Sequence, residues 1–168
     1  MAGASGRSSR SQPRSLHERA LGVLSVRARS RAELRRRLLA AGFSSVEIDE
    51  ELDNLARVGL VDDEAFARAA VQEGTGRRLR GSRAIQASLA ARGVDRSTIE
   101  RVMAESGGDE EARAVALARS RVSRLADVPR EVAARRLAEH LARRGYAPGL
   151  ARRAAAEALA LDPAAEDA

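Results

Sequence analysis

The chain has 168 residues, 44% of them apolar, and its 30 basic residues against 24 acidic ones give a net charge of +6. Every basic residue is arginine and there is no cysteine, which excludes disulfide frameworks, thiolate zinc sites and cysteine nucleophiles. Two histidines far apart in the chain and three aromatic side chains are a poor basis for a multi-histidine metal site or a base-stacking surface.

The chain opens with an arginine- and serine-rich stretch without acids, residues 1–15, which we expect to be a disordered basic tail. Helical spacing of apolar residues begins behind it and predicts a first helix at about 16–29. The residues expected to face inward on that helix are Leu16, Ala20, Leu21 and Leu24.

Two serine–glutamate pairs mark the starts of the next two helices. Ser30 with Glu33 and Ser44 with Glu47 have the spacing of a capping box, in which each side chain satisfies a backbone N–H near the other residue. A glycine suited to a left-handed cap follows each of these helices. The two glycines are Gly42 and Gly59.

A second group of helices is predicted to begin near Asp63. The residues expected to face inward on its first helix are Phe66, Ala69 and Ala70. Three glycines then interrupt the helical spacing, so we expect a flexible basic loop over roughly 74–81. Asp95 sits where an N-cap carboxylate belongs, two residues after a helix-ending Gly93.

A third group is predicted to begin after Asp109 with a helix at about 110–126 and to continue after Pro129, a first-turn residue. The residues expected to face inward on the first of these helices are Val115, Ala116, Val122 and Leu125. Alanine dominates this part of the chain and fills space poorly, so we expect a less secure core here. The acidic residues 162–168 are expected to fray.

The three groups share one pattern of apolar residues and glycine. Leu34, Leu38 and Gly42 recur 51 residues later as Ile85, Leu89 and Gly93, and a third copy contains Leu137, Leu141 and Gly145. Each copy has two further helices, so we predict three tandem three-helix repeats at 16–61, 62–106 and 107–161. The predicted fold is therefore all-α, an elongated and curved array of repeats.

Several motifs that suggest catalysis have simpler interpretations. Gly76 to Ser82 resembles a phosphate-binding loop, but the required lysine is missing and no strand precedes it. The acids from Asp62 to Glu64 fit helix capping better than metal binding. His17 and His140 are expected at the surface. We therefore predict no enzymatic activity, no metal, no cofactor and no small-molecule substrate.

Clusters of arginine carry the strongest chemical signal. The acidic run from Glu47 to Asp53 is interpreted as internal charge balance for the helix that holds Arg35, rather than as contact with a basic partner. Arginine forks suit phosphate and carboxylate alike, so the clusters fit nucleic acid or an acidic protein groove. The predicted binding residues are Arg77, Arg78, Arg80 and Arg83, supported by Arg35, Arg36, Arg143 and Arg144.

The run from Gly59 to Ala67, with Asp62, Asp63 and Phe66, resembles the most distinctive motif of the RecX family. The run from Ser30 to Phe43 is similar to the first repeat of that family, and the basic loop followed by Ile85 and Leu89 is similar to the second. The resemblance covers roughly residues 16–160. It is weaker in the third repeat, and the loop at 74–81 lacks the lysines and proline often found there.

The resemblance implies a non-enzymatic, cytoplasmic modulator of the RecA recombinase that has no membrane contact. RecX proteins bind in the groove of the RecA filament on single-stranded DNA and restrain strand exchange, ATP hydrolysis and repressor co-cleavage, within the regulation of DNA repair and the SOS response. The residues themselves imply only a basic helical binder. A sequence-independent nucleic-acid-binding protein and a helical scaffold in another complex therefore stay open as alternatives.

Overall fold

The computed structural model describes residues 15–106 and 108–160, and within them it contains nine α-helices, a short 3-10 turn and no strand. The all-α prediction is confirmed. The helices are α1 Leu16–Leu24, α2 Arg31–Ala40, α3 Ser45–Arg57, α4 Asp63–Thr75, α5 Ser82–Ala91, α6 Arg96–Glu105, α7 Glu110–Val122, α8 Arg130–Arg143 and α9 Pro148–Ala160.

The chain divides between Asp62 and Asp63 into two compact units, one with α1–α3 and one with α4–α9. The finer division into three repeats stays a prediction. Apart from Ser15, the tails predicted at 1–15 and 162–168 lie outside the described residues, as does Gly107. No helix in the described ranges is both long and apolar enough to cross a membrane.

In the N-terminal unit, all three helices begin with a capping box. The boxes predicted at Ser30 and Ser44 are confirmed, and a third pairs Ser15 with Glu18 at the start of α1. Each serine oxygen accepts a hydrogen bond from the glutamate's backbone N–H, and each glutamate accepts one from the serine's backbone N–H. Three short helices are thus fixed at their first turns by local sequence alone.

The first helix is shorter than predicted. It ends at Leu24 rather than at 29, because the chain needs the next residues to reach Ser30, the buried start of α2. Leu21, predicted to face inward, is 37% exposed, and Val23 packs against the core in its place. The buried apolar residues of this unit are Ala20, Leu34, Leu38, Ile48, Leu52, Leu55 and Val61.

The first three helices of the C-terminal unit enclose one apolar cluster. α4 begins at Asp63 as predicted and buries Phe66, while Ala69 is exposed and Ala67 takes the inward position. The remaining buried apolar residues come from α4, α5, the turn after α5, and α6; they are Val71, Ile85, Leu89, Val94, Ile99 and Val102. Asp95 caps α6 through the backbone N–H groups of two following residues, as predicted.

The last three helices pack around alanine. The buried face of α9 consists of Ala151, Ala154, Ala155 and Ala158 with Leu159, at the spacing of one helical stripe. This cluster contains more buried residues than either of the other two in the described part of the chain, and the expectation of a less secure core stays a prediction.

Three further details differ from prediction in this part of the chain. α7 stops at Val122, and a 3-10 turn over Ser123–Leu125 completes the predicted 110–126 segment. Ala116 is exposed, whereas Ala114 and Ala118 are buried. Pro129 is the N-cap of α8 rather than a first-turn residue.

The predicted glycine stops are confirmed. Gly42, Gly59, Gly93 and Gly145 all have positive φ, between 75° and 92°. Side chains with a Cβ rarely adopt this left-handed conformation, so glycine is the natural residue at the end of α2, α3, α5 and α8.

Candidate binding site

The basic loop between α4 and α5 is held against the turn that follows α8. The backbone N–H of Gly81 donates to the carbonyl oxygen of Arg144 at 2.9 Å, and that of Arg83 donates to the carbonyl oxygen of Gly145 at 3.2 Å. The N–H of Ser82 donates to the carboxylate of Glu110 in α7 at 2.7 Å. Two segments more than 60 residues apart therefore share one set of hydrogen bonds, and we name residues 76–83 with 144–146 the loop–turn junction.

The junction also contains contacts made by the side chains of Leu79 and Tyr146. The Tyr146 hydroxyl donates a hydrogen bond to the carbonyl oxygen of Leu79 at 3.0 Å, and the tyrosine ring is almost fully buried. The Leu79 side chain packs against the cluster formed by α7–α9. Its backbone has φ +43°, a left-handed conformation that costs a non-glycine residue about 1–2 kcal/mol. The surrounding contacts must supply that energy.

Two glycines allow the backbones to meet. A Cβ placed on Gly81 would lie 2.3 Å from the backbone of Gly145 and Tyr146, and a Cβ on Gly145 would lie 2.3 Å from the side chain of Ala84. The predicted loop over 74–81 begins later than expected, because α4 extends to Thr75. Its end is hydrogen-bonded to the turn after α8, and the flexibility of the loop stays a prediction.

The junction places two of the predicted arginine clusters side by side. Within the described part of the chain, Arg77, Arg80, Arg83 and Arg143 make no side-chain ion pair or hydrogen bond. Arg78 is paired with Glu73 at 2.8 Å, and both side chains are more than half exposed. An exposed pair of this kind contributes little to stability, so Arg78 can exchange Glu73 for another anion at small cost.

Buried polar atoms lie beside these arginines. Nε of Arg144, Nε of Arg113 and Nε2 of His140 have no hydrogen-bond partner among the described residues. Burial lowers the pKa of His140, and the nearby charges of Arg121, Arg143 and Arg144 lower it further. The expectation that His140 is a surface residue was therefore wrong: its ring is partly buried and surrounded by positive charge.

The tyrosine of the junction is also perturbed. Burial raises the pKa of the Tyr146 hydroxyl above its ordinary value of about 10. Positive charge on Arg113 opposes this shift, and the negative charge of Glu110 adds to it. The neutral hydroxyl, which can donate to Leu79, is therefore the stable form over the physiological pH range.

The supporting arginines of the N-terminal unit are placed differently. Arg35 forms a two-pronged hydrogen bond with Asp49, at 2.8 and 3.2 Å, which lowers the pKa of that carboxyl. Arg36 is exposed, and no ion pair of its side chain occurs in the described ranges. Arg31 reaches Asp53 at 2.7 Å. The acidic run on α3 thus balances α2, as predicted, and Arg35 is not available without breaking a pair.

Phe66 and Glu64 both contact arginines of other segments in the same unit. Phe66 is buried, and the guanidinium of Arg92 lies 5.3 Å from the centre of its ring. Glu64 pairs with Arg68 and, at 2.6 Å, with Arg101, which ties α4 to α6. The other histidine, His17, is exposed, and its Nδ1 lies 2.7 Å from a carboxylate oxygen of Glu51.

The sequence suggests the arginines of this site, which stay a prediction, and does not indicate the residues that hold them. Tyr146 directly follows the helix-ending Gly145, and Leu79 lies within the predicted flexible loop, so neither has a predicted role. One signal is present in the sequence: Tyr146 is a lone tyrosine in a chain without tryptophan, at a position where the other predicted repeats have Phe43 and Val94.

Family profiles match two segments of the chain. One described as the first three-helix domain of RecX matches residues 17–55, and one described as the second three-helix domain of RecX matches residues 62–103. Together they cover nearly all of α1–α6.

Proteins named regulatory protein RecX are similar over most of the chain. The one from Corynebacterium efficiens is 38% identical over 136 residues, which are 77% of this chain and 65% of the relative. The one from Mycobacterium sp. strain KMS is 41% identical over 134 residues, 77% of this chain and 73% of the relative. The one from Mycobacterium avium is 42% identical over 128 residues, 74% and 73% of the two chains.

A solved structure shares the fold. The crystal structure of RecX from Lactobacillus salivarius superposes with a TM-score of 0.75, over 85% of this chain and 94% of the other, at 19% identity. At that identity the similarity concerns the helical fold alone.

Proposed function

The chain belongs to the RecX family of regulatory proteins, and on this premise we propose that it regulates the RecA recombinase in the cytoplasm, mainly as an inhibitor. It binds the filament that RecA forms on single-stranded DNA and lies in the filament groove. There it restrains strand exchange, ATP hydrolysis and co-protease activity, and so takes part in the control of DNA repair and the SOS response. RecX is a family of regulators rather than of enzymes.

The observation that carries the proposal beyond the family name is the set of unpaired arginines at the loop–turn junction. Among residues 15–106 and 108–160, no acidic side chain pairs with the guanidinium forks of Arg77, Arg80 and Arg83. Such groups attract the carboxylates and phosphates that a protein–DNA filament presents. Further contacts from exposed arginines such as Arg36 would add through effective concentration.

Titration of the purified protein into a RecA ATPase reaction on single-stranded DNA tests this function. We expect ATP hydrolysis to fall with increasing protein and to saturate. A rate that stays unchanged at saturating protein contradicts the proposal and favours a scaffold role in another complex.

The double charge reversal R77E/R80E tests the site. We expect at least tenfold weaker inhibition with unchanged helix content, because two attractive contacts become repulsive. The control R119E/R136E changes the net charge equally, on exposed arginines of α7 and α8 that are outside the junction. If both variants lose inhibition to the same extent, net charge alone drives binding.

Direct binding to nucleic acid is the alternative, and the same unpaired arginines favour it. Affinity for naked single-stranded DNA that falls steeply with salt and does not change when RecA is added would support that alternative. Measurable binding only in the presence of RecA filaments supports the regulatory role.

A further inference from the structure

We propose that Tyr146 is a positioning residue for binding: with the turn around it, Tyr146 holds the arginine loop in one conformation, and filament binding depends on that hold. The proposal rests on the function proposed above. It assigns to the third group of helices, α7–α9, a role in shaping a surface whose chief charges come from the segment between α4 and α5.

The loop's own backbone hydrogen bonds tie it only to the end of α4: the N–H of Arg78 donates to the carbonyl oxygen of Glu73 at 3.3 Å, and that of Arg80 to the carbonyl oxygen of Gly74 at 2.8 Å. Glycines stand at both of its ends, and Leu79 adopts a left-handed conformation that is unfavourable in isolation. Such a conformation persists only where the surroundings determine it. Here they consist of the Tyr146 hydroxyl, the carbonyl oxygens of Arg144 and Gly145, and the apolar cluster that receives the Leu79 side chain.

The arginines depend on this arrangement. Arg78 and Arg80 directly flank Leu79 and Arg77 precedes Arg78, so the direction of each side chain follows from the backbone that Tyr146 fixes. A loop ordered before binding loses less conformational entropy when it meets its target. Released from the turn, the same arginines would keep their charge and lose their common geometry.

The two glycines that flank the loop provide a matched pair of variants. G81A places a methyl group 2.3 Å from the backbone of the turn and must push the loop away. G76A places the same group 3.0 Å from the carbonyl oxygen of Gln72, with no atom of the turn within 4 Å. Y146F removes the hydroxyl and leaves the buried ring.

The first measurement uses the free protein and trypsin, which cleaves after arginine. G81A is expected to raise cleavage after Arg77, Arg78 and Arg80 about tenfold, and Y146F about fivefold, because cleavage follows the population of the open loop. G76A is expected to change it less than twofold, and cleavage after Arg101 in α6 reports general unfolding. Equal cleavage of the loop in wild type and G81A overturns the proposal.

The second measurement is spectroscopic. Tyr146 is the only tyrosine and the chain has no tryptophan, so alkaline titration of its absorbance reports this hydroxyl alone. G81A is expected to move the pKa of Tyr146 down toward its ordinary value, because the residue becomes hydrated and loses Leu79 as acceptor. An unchanged pKa in G81A means that the loop does not leave the turn, which contradicts the proposal.

The third measurement is a double-mutant cycle on RecA filaments. Y146F is expected to weaken inhibition about fivefold, and its effect is expected to shrink in a background where Arg77 and Arg80 are glutamine. In an R36Q background the two effects are expected to add. Full additivity with the loop arginines means that Tyr146 acts only through stability, which overturns its positioning role.

The two proposals fail in different ways. If wild type does not affect RecA, the proposed function fails, while altered proteolysis and tyrosine titration in G81A would still establish the hold on the loop. If wild type inhibits RecA and G81A inhibits equally despite a released loop, the positioning role is wrong and the regulatory function stands.

Discussion

His140 shows how a single residue reports on the charge around it. Burial and three nearby arginines keep the histidine neutral by lowering its pKa. The unfolded chain takes up a proton below about pH 6.5, and the folded protein does so only at lower pH. The contribution of neutral His140 to the free energy of unfolding is therefore fully present above pH 6.5. It is lost as the pH falls from 6.5 toward the lowered pKa of the folded protein.

Replacing the histidine should remove that pH dependence. We expect the midpoint of thermal unfolding to fall between pH 7.5 and pH 5.5 by less in H140Q than in wild type. Identical decreases in wild type and H140Q would show that the ring becomes protonated freely in the folded protein.

At the scale of single helices, start signals were predictable and end signals only partly so. Serine–glutamate boxes at Ser30 and Ser44 act within four residues, so the sequence states them completely. The end of α1 at Leu24 depends on where the next helix must begin, which no local pattern records. The inward face of α9 was likewise hidden, because exposed and buried alanines look alike in a sequence.

The free energy of unfolding that is lost when a capping serine is replaced should depend on how deeply that serine is buried. Ser30 is fully buried and Ser44 is exposed, although both accept a hydrogen bond from the N–H of a glutamate. We expect S30A to lower the free energy of unfolding by about 2 kcal/mol and S44A by about 0.5–1 kcal/mol, measured by urea denaturation. The control S45A changes an exposed serine that does not cap the helix and should stay within about 0.5 kcal/mol.

At the scale of the whole molecule, the sequence identified the candidate arginines and gave no sign that some of them meet. The clusters at 77–83 and 143–144 come together through backbone hydrogen bonds, which any residue type can form. Only the glycines at 81 and 145 carry information about that approach, and a helix-ending glycine is already explained by its turn. The contact between these distant segments therefore could not be predicted from the sequence.

The division into two compact units predicts local effects of core variants. Leu38 and Leu141 hold equivalent positions in the predicted repeats, and both are fully buried. We expect L38A and L141A each to cost about 2–5 kcal/mol in the affected unit. By hydrogen exchange, L38A should raise exchange in α1–α3 and leave α7–α9 unchanged, and L141A should do the reverse. Faster exchange throughout the chain in both variants would mean that the units unfold together.

The capping boxes of α1, α2 and α3 also bear on the order of events at the ribosome. Helices whose first turns are encoded within a few residues form without waiting for distant parts of the chain. The N-terminal unit emerges first and has its own buried cluster, so it can become compact while the segment that supplies Tyr146 is still being translated. The arginine loop emerges before its anchor, and it stays unanchored until synthesis has passed the turn after α8.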